Sequence, residues 1–128
     1  MGRHLAFTAP DISGDIVLAK SSSAHMAIVT PFAGRPRHFY YNLKINCMPA
    51  LGQVTAFGKT YDFAPETDFG VLDWGRGAWT YDNTWYWGSA SVLVDRPNGR
   101  RPFGFNIGHG FGDTSAGTEN MQIGRAHV

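Results

Sequence analysis

The chain has 128 residues, 16% of them charged, 43% hydrophobic and 14% aromatic, with 16 glycines and a formal net charge of +1. That length makes one domain, the aromatic content excludes a disordered chain, and a charge fraction below the usual value of about 25% suits a turn-rich β fold. The densest basic spots, Arg35–Arg37 and Arg96–Arg100–Arg101, sit beside Pro or Gly as solvated turns, so the broad basic footprint of a nucleic-acid binder is missing.

One cysteine, Cys47, allows no internal disulfide and fits a small core residue. No charged-then-apolar leader opens the sequence, and no apolar run approaches the roughly 18 residues of a membrane span. The expectation is a cytoplasmic protein with no integral membrane segment.

Strand signals dominate from the start. "DIVLAK" (Asp15–Lys20) is short and β-branched, and Ser21, Ser22 and Ser23 turn the chain. "HMAIVTPF" (His25–Phe32) follows, closed by Pro31 and "GRPR". "HFYYNLKINC" (His38–Cys47) puts Phe39, Tyr41, Leu43 and Ile45 on one face. "QVTAFGKTYDF" (Gln53–Phe63) reads as a hairpin turning at Gly58–Lys59.

Next comes "VLDWGRGAWTYDNTWYWGS" (Val71–Ser89), which holds all four tryptophans. Within it "LDWGRG" reads as a tight turn, with Asp73 and Arg76 as a candidate ion pair. That pair either holds the turn or orients a ligand's polar group, with Asp73 a candidate proton donor if burial raises its pKa. "TWYWGSASVLVD" (Thr84–Asp95) is the longest strand candidate, with Trp85, Trp87, Ser89, Ser91 and Leu93 facing one way. Asn98–Gly99 turns it. The return, "PFGFNIGHGFGD" (Pro102–Asp113), puts Phe103, Phe105 and Ile107 on one face and Gly104, Asn106, Gly108, Gly110 and Gly112 on the other. A strand face of glycines invites close approach by a ring, another backbone or a ligand.

The aromatic array of Phe69, Trp74, Trp79, Tyr81, Trp85, Tyr86 and Trp87 is either a packed core or a cavity lining, with Asp82, Asn83 and Thr84 as polar partners for its ring tips. Candidate ligand-binding residues are Trp74, Arg76, Trp79, Asp82, Trp85, Trp87, Asn106 and Asn120. The polar loop "GDTSAGTEN" adds Glu119, which with Asp113 would make a carboxylate pair for acid–base work or simply a solvated turn. The catalytic candidates are therefore Asp73 and Glu119. His4, His25, His38, His109 and His127 have no zinc spacing, no Gly-x-Ser-x-Gly elbow is present, and neither a metal nor a cofactor is expected.

Three strings, "FYYNLKINCMPALGQV", "DFGVLDWGRGAWTYDNTWYWGSAS" and "PFGFNIGHGFGDTSAGTEN", together resemble the bacterial family catalogued as domain of unknown function 2804. The resemblance runs from Phe39 to Met121, more weakly back to about Ile16. That family is similar in fold to calycin-like proteins, including the hydroxyneurosporene synthase group with its lipocalin-like barrels. The resemblance implies a barrel-type sheet around an apolar cavity and transmits no activity. Members are longer, and "IGRAHV" is what ATC GGA AGA GCA CAC GTC encodes, a string that looks like a sequencing adapter. Residues 1–122 are thus expected to be a fragment of a larger domain, and Ile123–Val128 a non-native tail.

The combined expectation is an all-β, antiparallel chain, part of a calycin-like barrel or a strongly curved sheet. It would hold an apolar or amphipathic small molecule, lipid or isoprenoid in kind. The rivals are a cofactor-free hydratase or isomerase of a lipid or terpenoid alkene, with Asp73 or Glu119 donating the proton, and a structural β module without ligand. Protein partners are unspecified.

Overall fold

A computed structural model describes residues 2–22, 24–113, 115 and 120–125, the last six by their backbone. Among the described residues nine strands form: β1 (Arg3–Ala9), β2 (Ile12–Leu18), β3 (Met26–Pro31), β4 (Phe39–Ala56), β5 (Lys59–Phe63), β6 (Phe69–Ala78), β7 (Tyr86–Val94), β8 (Arg101–His109) and β9 (Asn120–Arg125). Every pairing is antiparallel. The fold is all-β, as the strand patterns require. Six strands make one sheet in the order β1-β2-β4-β3, with β5 and β6 also on β4, and β7-β8-β9 make a second. Neither sheet closes into a barrel among the described residues.

β4 organises the larger sheet. Its first half, Phe39–Lys44, pairs with both β3 and β6, and its second half, Gly52–Ala56, with both β2 and β5. The sequence suggests a strand stopping at Cys47, but β4 continues through "MPALGQ" by way of a bulge. Ile45 pairs with Leu72 and Met48 with Gly70, so Asn46 and Cys47 oppose the single residue Val71. Cys47 takes up the distortion with a left-handed φ of 53°. A bulge of two residues against one bends its strand and resets the alternation of side chains.

That reset decides where the core sits. Before the bulge, Ile45 lies on the face opposite Tyr40, Asn42 and Lys44. Beyond it, Met48 and Ala50 join Ile45 in one cluster with Leu18, Ile16, Phe63 and Leu72. The cluster is small. Each fully buried aliphatic side chain contributes about 1.5–3 kcal/mol, and only Leu18, Phe32, Cys47, Met48 and Ala50 are buried apolar residues among those described. Large apolar side chains such as Leu5, Phe7, Val29, Leu51 and Phe57 face solvent. Polar ties between the sheets therefore carry a larger share of the cohesion.

Two such ties are present. Asn46, 3% exposed, donates from its amide to Ser89 Oγ (2.8 Å), the Ala90 carbonyl (3.1 Å) and the Phe105 carbonyl (2.9 Å), and the Cys47 N–H donates to Ser91 Oγ (3.0 Å). The bulge thus plugs into the β7–β8 hairpin. Gly104 permits this, because a Cβ there would lie 2.8 Å from both Asn46 Cβ and Cys47 Sγ. The second tie is the Asp113 N–H bonded to the Pro31 carbonyl at 2.9 Å.

Three other features differ from the sequence reading. β1 pairs with β2 from Arg3↔Leu18 to Ala9↔Ile12 and carries no strong strand signature in "RHLAFTA". The β4–β5 hairpin turns at Phe57–Gly58, one residue early, with φ of 49° and 76° as a type I′ turn demands. "LDWGRG" is no turn but the middle of β6, paired with β4 from Phe39↔Ala78 onward. The β7–β8 hairpin matches expectation: Trp87 pairs with Gly108 and Ser89 with Asn106, and Gly99 sits at the turn with φ 97°.

Asn46→Ala removes the donor shared by Ser89 Oγ and the Ala90 carbonyl, while the Phe105 carbonyl keeps the Ser89 hydroxyl. An unsatisfied buried polar group costs on the order of 1–3 kcal/mol. The expected loss in denaturant-unfolding free energy lies in that range; a change within error would mean that the bulge does not tie the sheets.

Candidate functional site

The face of β4 that alternation assigns to Tyr40, Asn42 and Lys44 looks across a gap toward β7 and β8. A cavity of about 220 Å³ lies there, lined by Ile28 and Thr30 from β3, those three β4 residues, Asp73 from β6, Trp85 and Trp87, and Gly108, His109 and Phe111. Its floor is polar and its walls are rings.

The floor is built by cross-strand pairing. Lys44 and Asp73 are register partners on β4 and β6, and Lys44 Nζ donates to Asp73 Oδ2 at 2.6 Å. The lysine side chain is 7% exposed and the aspartate 34%. Losing a partner from a buried pair costs about 3–5 kcal/mol, less here because water reaches the carboxylate. The Asn42 amide donates to Asp73 Oδ1 (2.8 Å), the Tyr40 hydroxyl (2.9 Å) and the Trp74 carbonyl (3.1 Å). Asn42 Oδ1, Asn46 Oδ1 and Asn106 Nδ2 are buried with no hydrogen-bond partner among the described residues.

The walls come from β7 and from the segment after β8. Trp87 Nε1 donates to Asn106 Oδ1 at 2.9 Å, so the tip of this indole is satisfied. The Lys44 ammonium lies 5.4 Å from the Trp87 ring centroid, within cation–π range. Phe111 closes one end edge-to-face with Phe32 (5.6 Å), Tyr40 (4.8 Å) and Trp85 (5.2 Å). Tyr40 also packs edge-to-face on Trp79 at 5.2 Å. Gly75 makes room for Tyr40, since a Cβ there would collide with the phenol ring.

The surroundings of Tyr40 move its titration upward. Burial raises its pKa above the ordinary 10.0, the Asp73 carboxylate adds to the rise, and the hydrogen bond from Asn42 works against both. The phenol therefore keeps its proton at neutral pH and is a donor facing the cavity.

The structure sorts the residues singled out from sequence. Asp73, Trp85 and Trp87 line the cavity, and Asn106 anchors Trp87 from behind. Trp79 supports Tyr40. Asp73 pairs with Lys44 instead of Arg76, because residues three apart on a strand point to opposite faces. Arg76 and Trp74 share the face away from the cavity, where Trp74 packs on Tyr41 at 6.0 Å. Asp82 lies in the exposed β6–β7 loop, and Tyr81 and Tyr86 face solvent. Glu119 lies outside the described residues, as does the side chain of Asn120.

Four contributors escaped the sequence reading: Tyr40, Asn42, Lys44 and Phe111. The first three alternate opposite the apolar stripe Phe39–Tyr41–Leu43–Ile45, and polar groups on a strand's second face usually mark solvent. For Phe111 a signal exists in "GFG": Gly110 and Gly112 have φ of 93° and 81°, and these reversals set the phenyl ring between them against Tyr40 and Trp85.

No group of three or more His, Cys, Asp and Glu residues suited to a metal ion occurs among the described residues. Among those residues no helix is long and apolar enough to cross a membrane. The chain matches the family model described as Domain of unknown function (DUF2804) over residues 2–127, and it belongs to that family. No curated protein and no solved structure gives a significant match.

A folded-state pKa above the unfolded value means that Tyr40 contributes stability fully present below pH 10.0 and lost as pH climbs through the folded value. Tyr40→Phe should flatten the alkaline fall of unfolding free energy and remove a late phenolate step from the absorbance titration. Superimposable profiles for the two proteins would contradict this environment.

Proposed function

We propose that the protein binds a small amphipathic molecule between its two sheets, rings against Trp85, Trp87 and Phe111 and polar end on the β4–β6 floor. The observation that carries this reading is the cavity itself. Tyr40, Trp85, Trp87 and Phe111, from three parts of the chain, border an open volume beside a nine-tenths-buried lysine. Apolar walls with a few convergent polar groups are the usual composition of a ligand site. A cavity of about 220 Å³ is below the roughly 300–1,000 Å³ that encloses drug-sized ligands. It suits a compact molecule or the terminal portion of a lipid or isoprenoid, not a whole long chain. The calycin-like resemblance, which implies an apolar cavity and transmits no activity, is compatible with this reading. We keep the cytoplasmic setting in this reading, with which the free thiol of Cys47 is compatible.

The alternative of a proton-donating hydratase or isomerase is less well supported. Both Asp73 oxygens already accept hydrogen bonds, from Asn42 and Lys44. That arrangement suits an acceptor more than a proton donor.

Binding should change the fluorescence of Trp85 and Trp87 when the chain is titrated with a panel of small aromatic and alicyclic compounds. Ile28→Phe, which enlarges a lining residue, should weaken any responding compound at least about tenfold, a cost of about 1.4 kcal/mol, with circular dichroism unchanged. A panel without response in the parent protein, or responses untouched by Ile28→Phe, would refute the site.

A further inference from the structure

The charge and hydrogen-bonding pattern of the floor narrows the ligand beyond its being amphipathic. Lys44 and Asp73 are in direct contact at 2.6 Å, so the floor presents a dipole with no net charge. A ligand carboxylate would gain the ammonium but sit beside a second anion, and a ligand ammonium would compete with Lys44 for Asp73. Either would bring an unmatched charge against a lysine that is 7% exposed, and an unmatched charge away from water is disfavoured. Neutral ligands meet no such obstacle.

Among neutral groups, the available donors and acceptors select further. The Tyr40 hydroxyl accepts from Asn42 and retains its own proton. An ammonium has three N–H donors, and one of those on Lys44 is directed to Asp73. Each carboxylate oxygen of Asp73 has one donor among the described residues, leaving a lone pair on each. The floor therefore offers donors and acceptors side by side. A ketone or ether satisfies only the donors, and a hydrocarbon satisfies neither. A hydroxyl group accepts from Tyr40 or Lys44 with its oxygen and donates its proton to Asp73.

We propose that the ligand is a neutral alcohol on a compact ring skeleton, its hydroxyl set between Tyr40, Lys44 and Asp73 and its ring against Trp85, Trp87 and Phe111. This rests on the binding reading above, and adds to it a choice of head group that binding alone does not require.

A matched series separates the two ideas. Calorimetric titration of the full chain with 2-naphthol, naphthalene and 2-naphthoate keeps the ring constant and changes only the head group. The expected result is 2-naphthol binding at least about tenfold tighter than either of the others, because its hydroxyl alone meets both the donors and the acceptors of the floor. In Asp73→Asn and in Tyr40→Phe the preference for 2-naphthol over naphthalene should shrink severalfold; either variant suffices if the other does not fold. If 2-naphthoate equals or exceeds 2-naphthol, or all three bind alike, the head-group inference is overturned while the cavity keeps its role. If none of the three binds and the broader fluorescence panel is also silent, both readings fall.

Discussion

The structure depends on the bulge of β4. At Asn46 and Cys47 the strand takes one residue more than its partner β6, and Cys47 adopts a left-handed φ to accommodate it. The Cys47 backbone N–H and the Asn46 side-chain amide both reach the β7–β8 hairpin. In a chain whose buried apolar cluster is as small as Leu18, Met48 and Ala50 with their neighbours, hydrophobic burial alone gives little reason for a three-stranded sheet to sit at one position on a six-stranded one. A directional set of hydrogen bonds to Ser89, Ser91 and two carbonyls gives that reason, and Gly104 supplies the clearance.

The cavity follows from this junction. With the bulge plugged in at one end and Phe111 wedged among Phe32, Tyr40 and Trp85 at the other, the stretch of β4 between them cannot close onto β7 and β8. Polar side chains at alternate positions of that stretch are thereby kept from bulk solvent without being packed over. They satisfy one another instead: Lys44 with Asp73, and Asn42 with Asp73 and Tyr40. The bulge also separates chemistry by face. Ile45, Met48 and Ala50 gather on one side while Tyr40, Asn42 and Lys44 hold the other, so one strand serves both the apolar core and the polar floor.

The fold class and most strands were legible because alternation and turn dipeptides are local signals. The facing of Trp85, Trp87, Ser89 and Ser91, and of Gly104, Asn106 and Gly108 beside them, followed from the two-residue period alone. "LDWGRG" misled because glycine in a strand reads as a turn. Its role here is long-range, since Gly75 is small so that Tyr40 can lie over it. The Asp73 partner was wrong for a related reason: proximity in sequence suggested Arg76, whereas β pairing brings Lys44 from 29 residues away. Such a contact has no local signature. Half of the candidate tryptophans belong to the cavity because tryptophan count reports aromatic surface and not its direction; Trp74 went to the opposite face and Trp79 to the support of Tyr40.

The docking of the β4 bulge against the β7–β8 hairpin is tested most directly by an engineered cross-link. Cys47 is the chain's one cysteine, its N–H donates to Ser91 Oγ at 3.0 Å, and Ser91 is the register partner of Gly104, beside which the Cys47 sulfur lies. Ser91→Cys should therefore form an intramolecular disulfide to Cys47 under mild oxidation, detected by non-reducing peptide mapping. Val92→Cys, on the opposite face of β7, should not. Free thiols in the oxidised Ser91→Cys protein, or equal cross-linking of both variants, would contradict the arrangement from which the cavity is built.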